Sequence, residues 1–338
     1  MRILIIGGTR FIGPYVVRSL HKQGHQITLF HRGETQADLP DEVQHIYGDR
    51  CNLGDFREPL KLFAPTVVVD LIPVTEGEAL DVMNIFRSIA QRVVAISSQD
   101  VYRAYGVLIG IEPGPIESVP LTERSALRDK LYPYRDQSNP EHRLYDYDKI
   151  LVERVYLSDP ELLGTVLRFP MVYGPGDYQH RLYPYLKRMD DGRQIIILEE
   201  GMSKWCWSRG YVEDMAAAVV LAINNECSVG CIYNVAEAET LSEIEWVRAI
   251  GDAVQWDGEL LKVQMGRLPE KMRSNINSDQ QLVVDTNLIR GELGYRETVD
   301  RIEALRRTIS WERKNPPESI DPELFDYAAE DALLARLE

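Results

Sequence analysis

Ile3-Leu4-Ile5-Ile6-Gly7-Gly8-Thr9-Arg10-Phe11-Ile12-Gly13 is the stretch on which the fold turns. An apolar run of strand length meets a glycine-rich turn, and a helix-period segment, Pro14–Gln23, follows at once. In that strand–turn–helix order the glycines let the backbone close on a pyrophosphate, which the free N–H groups and positive end of the helix receive. The run stops at Ile6 without a small-residue cleavage site, so it reads as a buried strand and not as a leader.

The alternation continues downstream. Ile27–His31, Val43–Tyr47, Val67–Leu71, Arg92–Ser97 and Thr165–Phe169 read as strands, with helices over Ala79–Ala90 and Asp146–Ser158 between them. The strands lack apolar/polar alternation, as expected where helices cover both faces of a parallel sheet. The fold class is therefore α/β, a doubly wound parallel (Rossmann) sheet with a smaller, mostly C-terminal substrate-binding domain. Residues 1–169 form the dinucleotide-binding domain. A return segment at about 208–236, with a helix at Asp214–Ile223, brings a late strand, Cys231–Val235, back to the sheet, which leaves 170–207 and 237–338 as the cap, with helices at Ser242–Val254 and Thr298–Arg313. Between Tyr102 and Tyr145 the chain is rich in Pro, Gly and charge and too long for a simple connection, so it reads as a flap over a site.

With 338 residues, 44% hydrophobic and 27% charged, the chain has the composition of a soluble globular protein of about two domains. Its net charge of −15 repels a phosphate backbone, so no nucleic acid partner is expected. No apolar run reaches the roughly 18 to 20 residues of a membrane span, and no membrane partner is expected. Cys51, Cys206, Cys227 and Cys231 are too scattered for a disulfide framework, which points to a reducing compartment, the cytoplasm.

The end of the second strand, Leu29-Phe30-His31-Arg32, bears on the cofactor. An acidic side chain there would accept the ribose 2′-hydroxyl; Arg32, with Arg10 from the glycine turn, would instead clamp a 2′-phosphate. NADP is favoured over NAD. For catalysis, Tyr145 and Lys149 stand four apart, which puts both on one face if the segment is helical. Tyr183 and Lys187 repeat the spacing, but Tyr145 leads a helix returning to the sheet, and Tyr183 falls in the cap. A tyrosine acting as a base near neutrality needs its hydroxyl pKa lowered by about 3 units, which a neighbouring ammonium promotes. Ser98, at the end of its strand, would hydrogen-bond the same substrate oxygen.

Gly7–Gly13, Ser97-Ser98-Gln99-Asp100-Val101-Tyr102, Tyr145–Lys149, Leu167–Pro175 and Arg209–Asp214 span nearly the whole chain. In that order they resemble the extended short-chain dehydrogenase/reductase superfamily, specifically its NAD-dependent epimerase/dehydratase family. The resemblance implies a catalytic triad of Ser98, Tyr145 and Lys149. It implies cofactor contacts at Gly7, Thr9, Arg10, Phe11, Ile12, Gly13, His31, Arg32, Asp49, Arg50, Leu71, Ile72, Tyr145, Lys149 and Pro170, with the Asp49 carboxylate on the adenine and Lys149 on the nicotinamide ribose. Substrate contacts are implied at Asp100, Met171 and Arg209, the last holding a substrate phosphate over the cap-side cleft. Arg10 replaces the middle glycine of the family turn, and Met171 stands where nucleotide-sugar enzymes often carry asparagine. The expected activity is hydride transfer at a hydroxyl or carbonyl of a small, sugar-like substrate, a nucleotide sugar above all, by an epimerase or dehydratase. An NADPH-dependent carbonyl reductase is the alternative. A further one is a non-catalytic dinucleotide binder, since chloroplast stem-loop RNA-binding relatives share the Gly-Gly-Thr-Arg-Phe-Ile-Gly turn. A homodimer through a four-helix contact is also implied.

Cys227 and Cys231 have no His or Cys partner pair at zinc spacing, so no metal is expected. Cys206 between Trp205 and Trp207 reads either as pocket lining or as cap core. The acidic end, Glu318–Glu338, reads as a solvated helix.

Overall fold

The computed structural model describes residues 1–337. Its strands are β1 (Arg2–Ile6), β2 (Gln26–His31), β3 (Gln44–Tyr47), β4 (Val67–Asp70), β5 (Arg92–Ser98), β6 (Gly164–Phe169), β7 (Met171–Tyr173), β8 (Ile195–Glu199), β9 (Arg209–Tyr211), β10 (Ile232–Asn234) and β11 (Glu259–Val263). The helices are α1 (Ile12–Lys22), α2 (Arg57–Phe63), α3 (Glu76–Phe86), α4 (Arg103–Leu108), α5 (Lys149–Ser158), α6 (Tyr183–Asp190), α7 (Glu200–Lys204), α8 (Val212–Asn224), α9 (Glu243–Val254), α10 (Asn287–Glu292), α11 (Arg301–Lys314) and α12 (Tyr327–Leu337).

Seven strands form one parallel sheet in the order β10-β6-β5-β4-β1-β2-β3. The period-2 geometry of a strand splits β1 cleanly. Ile3 and Ile5 pack with Val16, Val17 and Leu20 of α1 and with α8, whereas Leu4 and Ile6 pack with Leu60 of α2, Val82 and Phe86 of α3 and Val152 of α5. Both faces are dry, which is why these strands read as unbroken apolar runs. The chain winds outward from β1 to β3, then restarts at β4 on the other side of β1. The crevice at the carboxyl ends of β1 and β4 is therefore the topological switch point, where open α/β sheets bind ligands.

The smaller part of the molecule holds two short parallel pairs, β7 with β9 and β8 with β11, among α6, α7, α9, α11 and α12. Sequence periodicity gave no sign of these pairs, because three- to five-residue strands carry too few residues to show one. Two expectations need correcting. The C-terminal helix is docked and not solvated: Leu333 packs with Val263 and Leu268, and buried Glu330 takes Arg188 at 2.8 Å. The helix expected from Asp146 starts at Lys149, because the Asp148 side chain caps it by accepting the Ile150 N–H at 2.8 Å.

Candidate active site

The glycine turn after β1 is shaped for close approach. Gly7 and Gly8 both hold φ of +96°, and a Cβ on Gly13 would lie 2.5 Å from the Gly8 carbonyl carbon. No side chain caps α1; the Gly13 N–H donates to the Arg10 carbonyl at 2.9 Å and Pro14 has no N–H, which leaves the Ile12 N–H at the helix start for an anion. The cleft running from this turn is about 760 Å³. Gly7, Thr9, Arg10, Phe11, Ile12, Gly13, His31, Arg32, Asp49, Arg50, Leu71, Ile72, Ser98, Lys149 and Pro170 all line it. A cradle that a Cβ would fill, an uncapped helix start and a cleft of this length fit a dinucleotide.

At the β2 end, Arg32 pairs with Glu34 at 2.9 Å and Arg10 donates to Thr35 Oγ1 at 2.7 Å. Asp49 accepts the Cys51 N–H, a bond that lowers its carboxyl pKa. Arg50 is turned inward: it is buried on Asp70 at 2.8 Å, and Tyr156 donates to the same carboxylate at 2.6 Å.

Ser98 ends β5, and buried bonds fix that strand end. Ser97 donates to Glu153 at 2.6 Å, Glu153 holds Arg168 at 2.7 Å, and Arg168 donates to the Tyr102 hydroxyl at 3.0 Å. The network ties β5, β6 and α5 together, and breaking such a buried pair costs about 3–5 kcal/mol. Lys149, the first residue of α5, donates to the carbonyl oxygens of Ile96, at 3.0 Å, and Pro73. Burial lowers its pKa to about 8.

Tyr145 is the expected residue that the structure leaves out of this group. It lies in the turn before α5 with its ring 4.9 Å from the Arg135 guanidinium, and, like Tyr147 and Asp100, it is not among the residues lining the cleft. The four-residue spacing put it beside Lys149 only if both were helical, and the helix begins at Lys149 itself, three residues later than expected. Asp148 is extended (φ −158°), and in extended chain alternate residues share a side, so Tyr147 and Lys149 do. The Tyr147 hydroxyl donates to Asp100 Oδ2 at 2.6 Å, and the Lys149 ammonium is 5.9 Å from its ring centroid. Burial and then the Asp100 charge push the Tyr147 hydroxyl pKa well up, opposed by hydrogen bonding to Ser98.

Asp100 is neither solvated nor a cap. It is 6% exposed, and Oδ1 has no partner among the described residues. Burial raises its pKa, against the opposing charge of Arg128. Tyr134 packs on Tyr147 with ring centroids 5.2 Å apart, and its hydroxyl meets that of Tyr105 at 2.9 Å. Sequence reasoning missed this tyrosine cluster; the signal available was the aspartate before an apolar helix, which marks the helix start.

Arg209 is also not where it was expected. It is 4% exposed, ion-paired to Glu243, and its guanidinium lies 4.5 Å from the Trp246 ring centroid. Neither it nor Met171, its register partner across β7 and β9, lines the cleft. Trp205 is core, bonded to the Gln280 carbonyl at 2.9 Å. The cleft gains residues that the sequence did not single out: Glu141, Arg143, Tyr178 and Arg181. Arg143 ties the flap back to Glu78 at 3.1 Å, and Tyr178 stands edge-on to Phe11.

Residues 3–236 match the model of the family described as "NAD dependent epimerase/dehydratase family". The chain is 26% identical over 249 residues to the chloroplast stem-loop binding protein of 41 kDa b of Arabidopsis thaliana, covering 69% of this chain and 58% of that protein. It is 25% identical over 250 residues to the 2'-dehydrokanamycin reductase of Streptomyces kanamyceticus, covering 71% and 63%. The match thus spans less than two thirds of either relative's own length. Among solved structures, a UDP-glucose 4-epimerase from Thermotoga maritima, crystallised with UDP-glucose, superimposes with a TM-score of 0.68 at 17% identity, over 93% of this chain and 99% of that one. At that identity the likeness speaks for the fold. No helix among the described residues is long and apolar enough to cross a membrane.

Proposed function

The chain belongs to the NAD dependent epimerase/dehydratase family, and from that premise we propose that it is an NADPH-dependent reductase of a ketone on a small, polyhydroxylated, sugar-like substrate. The observation that carries the direction is the Asp100 carboxylate against the Tyr147 hydroxyl. A carboxylate beside a buried phenol disfavours tyrosinate, so this hydroxyl suits giving a proton to a forming alkoxide more than taking one from an alcohol. Tyr147, in place of Tyr145, is the proton donor in this reading. Ser98 holds the substrate oxygen, and Lys149 binds ribose hydroxyls and keeps positive charge near the reacting oxygen. The dinucleotide, when bound, supplies the hydride. Asp100 Oδ1 has no partner among the described residues, but it is buried and Asp100 does not line the cleft, so its part in this reading is to act on the Tyr147 hydroxyl.

Preference for NADP is supported by the absence of a carboxylate on the last two residues of the second strand's end, His31-Arg32, and by Arg10 and Arg32 at the adenosine end of the cleft. A sugar-like substrate is supported by the reductase relative. A nucleotide sugar has weaker support here, since Arg209, the guanidinium meant for its diphosphate, is consumed by Glu243. The net charge of −15 supports a small-molecule partner over RNA.

The test begins with the protein as purified. A reductase releases its dinucleotide each turn, so the expected preparation is largely free of it, binds NADPH more tightly than NADH, and oxidises NADPH stoichiometrically with a ketone from a keto-sugar and keto-aminoglycoside panel. A tightly held, non-exchanging dinucleotide with no net NADPH consumption would overturn the reading in favour of an epimerase or dehydratase.

A further inference from the structure

Arg143 reaches the cleft from the last stretch of the flap and not from the sheet. Residues 139–144 are exposed, yet this guanidinium has a built seat. Its Nη2 donates to the Ile72 carbonyl at 3.3 Å and to Glu78 Oε1 at 3.1 Å. Glu78 is buried and fixed, because its Oε2 accepts the Val74 N–H at 2.7 Å and the Thr75 N–H at 3.3 Å. Among the described residues both hydrogen bonds of Arg143 run through Nη2, which leaves the face of its plane uncommitted. Ile72 lines the cleft below, its side chain 40% exposed and 3.5 Å from where a Gly7 Cβ would stand. Asp49, whose carboxyl is lowered first by the Cys51 N–H, also feels the charges of Arg32 and Arg143, so Arg143 stands at the same end of the cleft. From Arg143 the chain runs to Tyr147 through two tight turns. The Tyr145 N–H donates to the His142 carbonyl at 2.9 Å and the Tyr147 N–H to the Leu144 carbonyl at 3.2 Å. The Asp148 N–H then donates to the Val74 carbonyl at 3.2 Å, so both ends of this stretch grip the loop between β4 and α3.

The glycine turn receives the pyrophosphate near the middle of the cleft, and Ser98 and Lys149 mark one end, so the adenosine half belongs at the other, over Ile72 and beside Asp49. We infer that Arg143 is an adenine-binding residue lent by the flap, which lays its guanidinium over the base against Ile72 and thereby lets the adenosine half of the dinucleotide fix the segment that leads to Tyr147. This rests on reading the cleft as a dinucleotide site. An apolar side chain below and a planar cation above suit a flat aromatic ring, since a guanidinium stacks on π-faces. A phosphate would seek the guanidinium edge instead, and Ile72 and Glu78 already take Nη2 there. Without a ligand the strap rests on a half-exposed ion pair, which contributes little. A base under the guanidinium adds a contact that exists only while the flap is down. Tyr147 stands four residues further on, so occupancy at the adenosine end is felt at the tyrosine.

Calorimetry and amide hydrogen exchange on the full chain test this without turnover. Arg143→Gln is expected to weaken NADPH, ADP and 5′-AMP about tenfold, and to leave nicotinamide mononucleotide affinity and the urea midpoint unchanged. Arg143→Lys, which keeps the charge and loses the plane, is expected to bind as weakly. Saturating ADP is expected to slow exchange over residues 139–147 in the wild type and, at its own saturation, not in Arg143→Gln. Adenosine ligands that bind Arg143→Gln as tightly as wild type overturn the inference. Full recovery in Arg143→Lys does so too, because it would mean a phosphate contact. Binding of ADP that leaves residues 139–147 unprotected overturns the link to the flap. A wild type that binds none of the four ligands would overturn the dinucleotide reading as well, which keeps the two failures apart.

Discussion

Arg32 at the β2 end of the cleft and Arg209 on β9 belong to two regions that use one side-chain type in opposite ways. Arg32 is more than half exposed, paired only to an equally exposed glutamate, and faces a cleft. Arg209 is buried, ion-paired to Glu243 and stacked over Trp246. Desolvating a guanidinium costs several kcal/mol unless an anion and hydrogen bonds go with it, so a buried arginine is committed to its protein partners. The dinucleotide end keeps its charges available to a ligand, and the cap spends them on holding itself together. The tyrosine cluster around Asp100 lies between these extremes, since Asp100 is buried but keeps one oxygen unpartnered among the described residues.

The sharpest way to break this comparison is at the catalytic end. Tyr147→Phe should lower ketone-dependent NADPH oxidation by about 10²- to 10⁴-fold with dinucleotide affinity unchanged, and Tyr145→Phe should cost far less. Steady-state rates beside calorimetric Kd values check both, and an essential Tyr145 with a dispensable Tyr147 would restore the four-residue spacing as the working pair. In the cap, Arg209→Met should destabilise the fold by about 3–5 kcal/mol, because it leaves Glu243 buried and unpaired. Urea unfolding measures it, and Arg209→Met/Glu243→Gln should recover part of the loss. A stable Arg209→Met that had instead lost affinity for UDP-, GDP- or dTDP-sugars would return Arg209 to the substrate.

In the cradle, Gly13→Ala should weaken dinucleotide binding by about 10- to 100-fold, since overpacking typically costs 1–3 kcal/mol and here displaces the Gly8 carbonyl. Fluorescence titration of NADPH reads it, and unchanged affinity would mean that the helix start does not touch the ligand. The smallest effect belongs to Lys149. Its pKa is lowered to about 8, so the ammonium is present below that pH and lost above it. NADPH affinity should therefore fall about threefold from pH 7 to 9, as charge-assisted donors become neutral ones. Lys149→Met should flatten that slope. Unfolding stability carries the opposite sign: between pH 8 and the ordinary lysine range the unfolded chain binds more protons, so this residue's contribution to stability rises with pH.

The sheet and the cradle were legible because each rests on a local rule. Ile3–Ile6 is apolar at every position, which only a strand covered on both faces tolerates, and Gly7, Gly8 and Gly13 mark backbone that a Cβ would obstruct. Ser98 and Lys149 were legible too, as an exposed strand end and a helix start, and both reach the cleft. Tyr145 was misplaced by a single boundary. The period of 3.6 was applied across Asp148, whose side chain caps the helix and leaves the preceding residues on a period of 2.

From the sequence alone came the alternation of strands and helices in the main sheet and the glycine turn of the cradle, both set by neighbours close along the chain. Tertiary structure alone decided which charges remain free. Glu243 reaches Arg209 from 34 residues away, Glu153 meets Ser97 from 56, and Tyr147 meets Asp100 from 47. A side chain's availability to a ligand depends on who else can neutralise it, and in a folded chain those partners are set by packing and not by spacing.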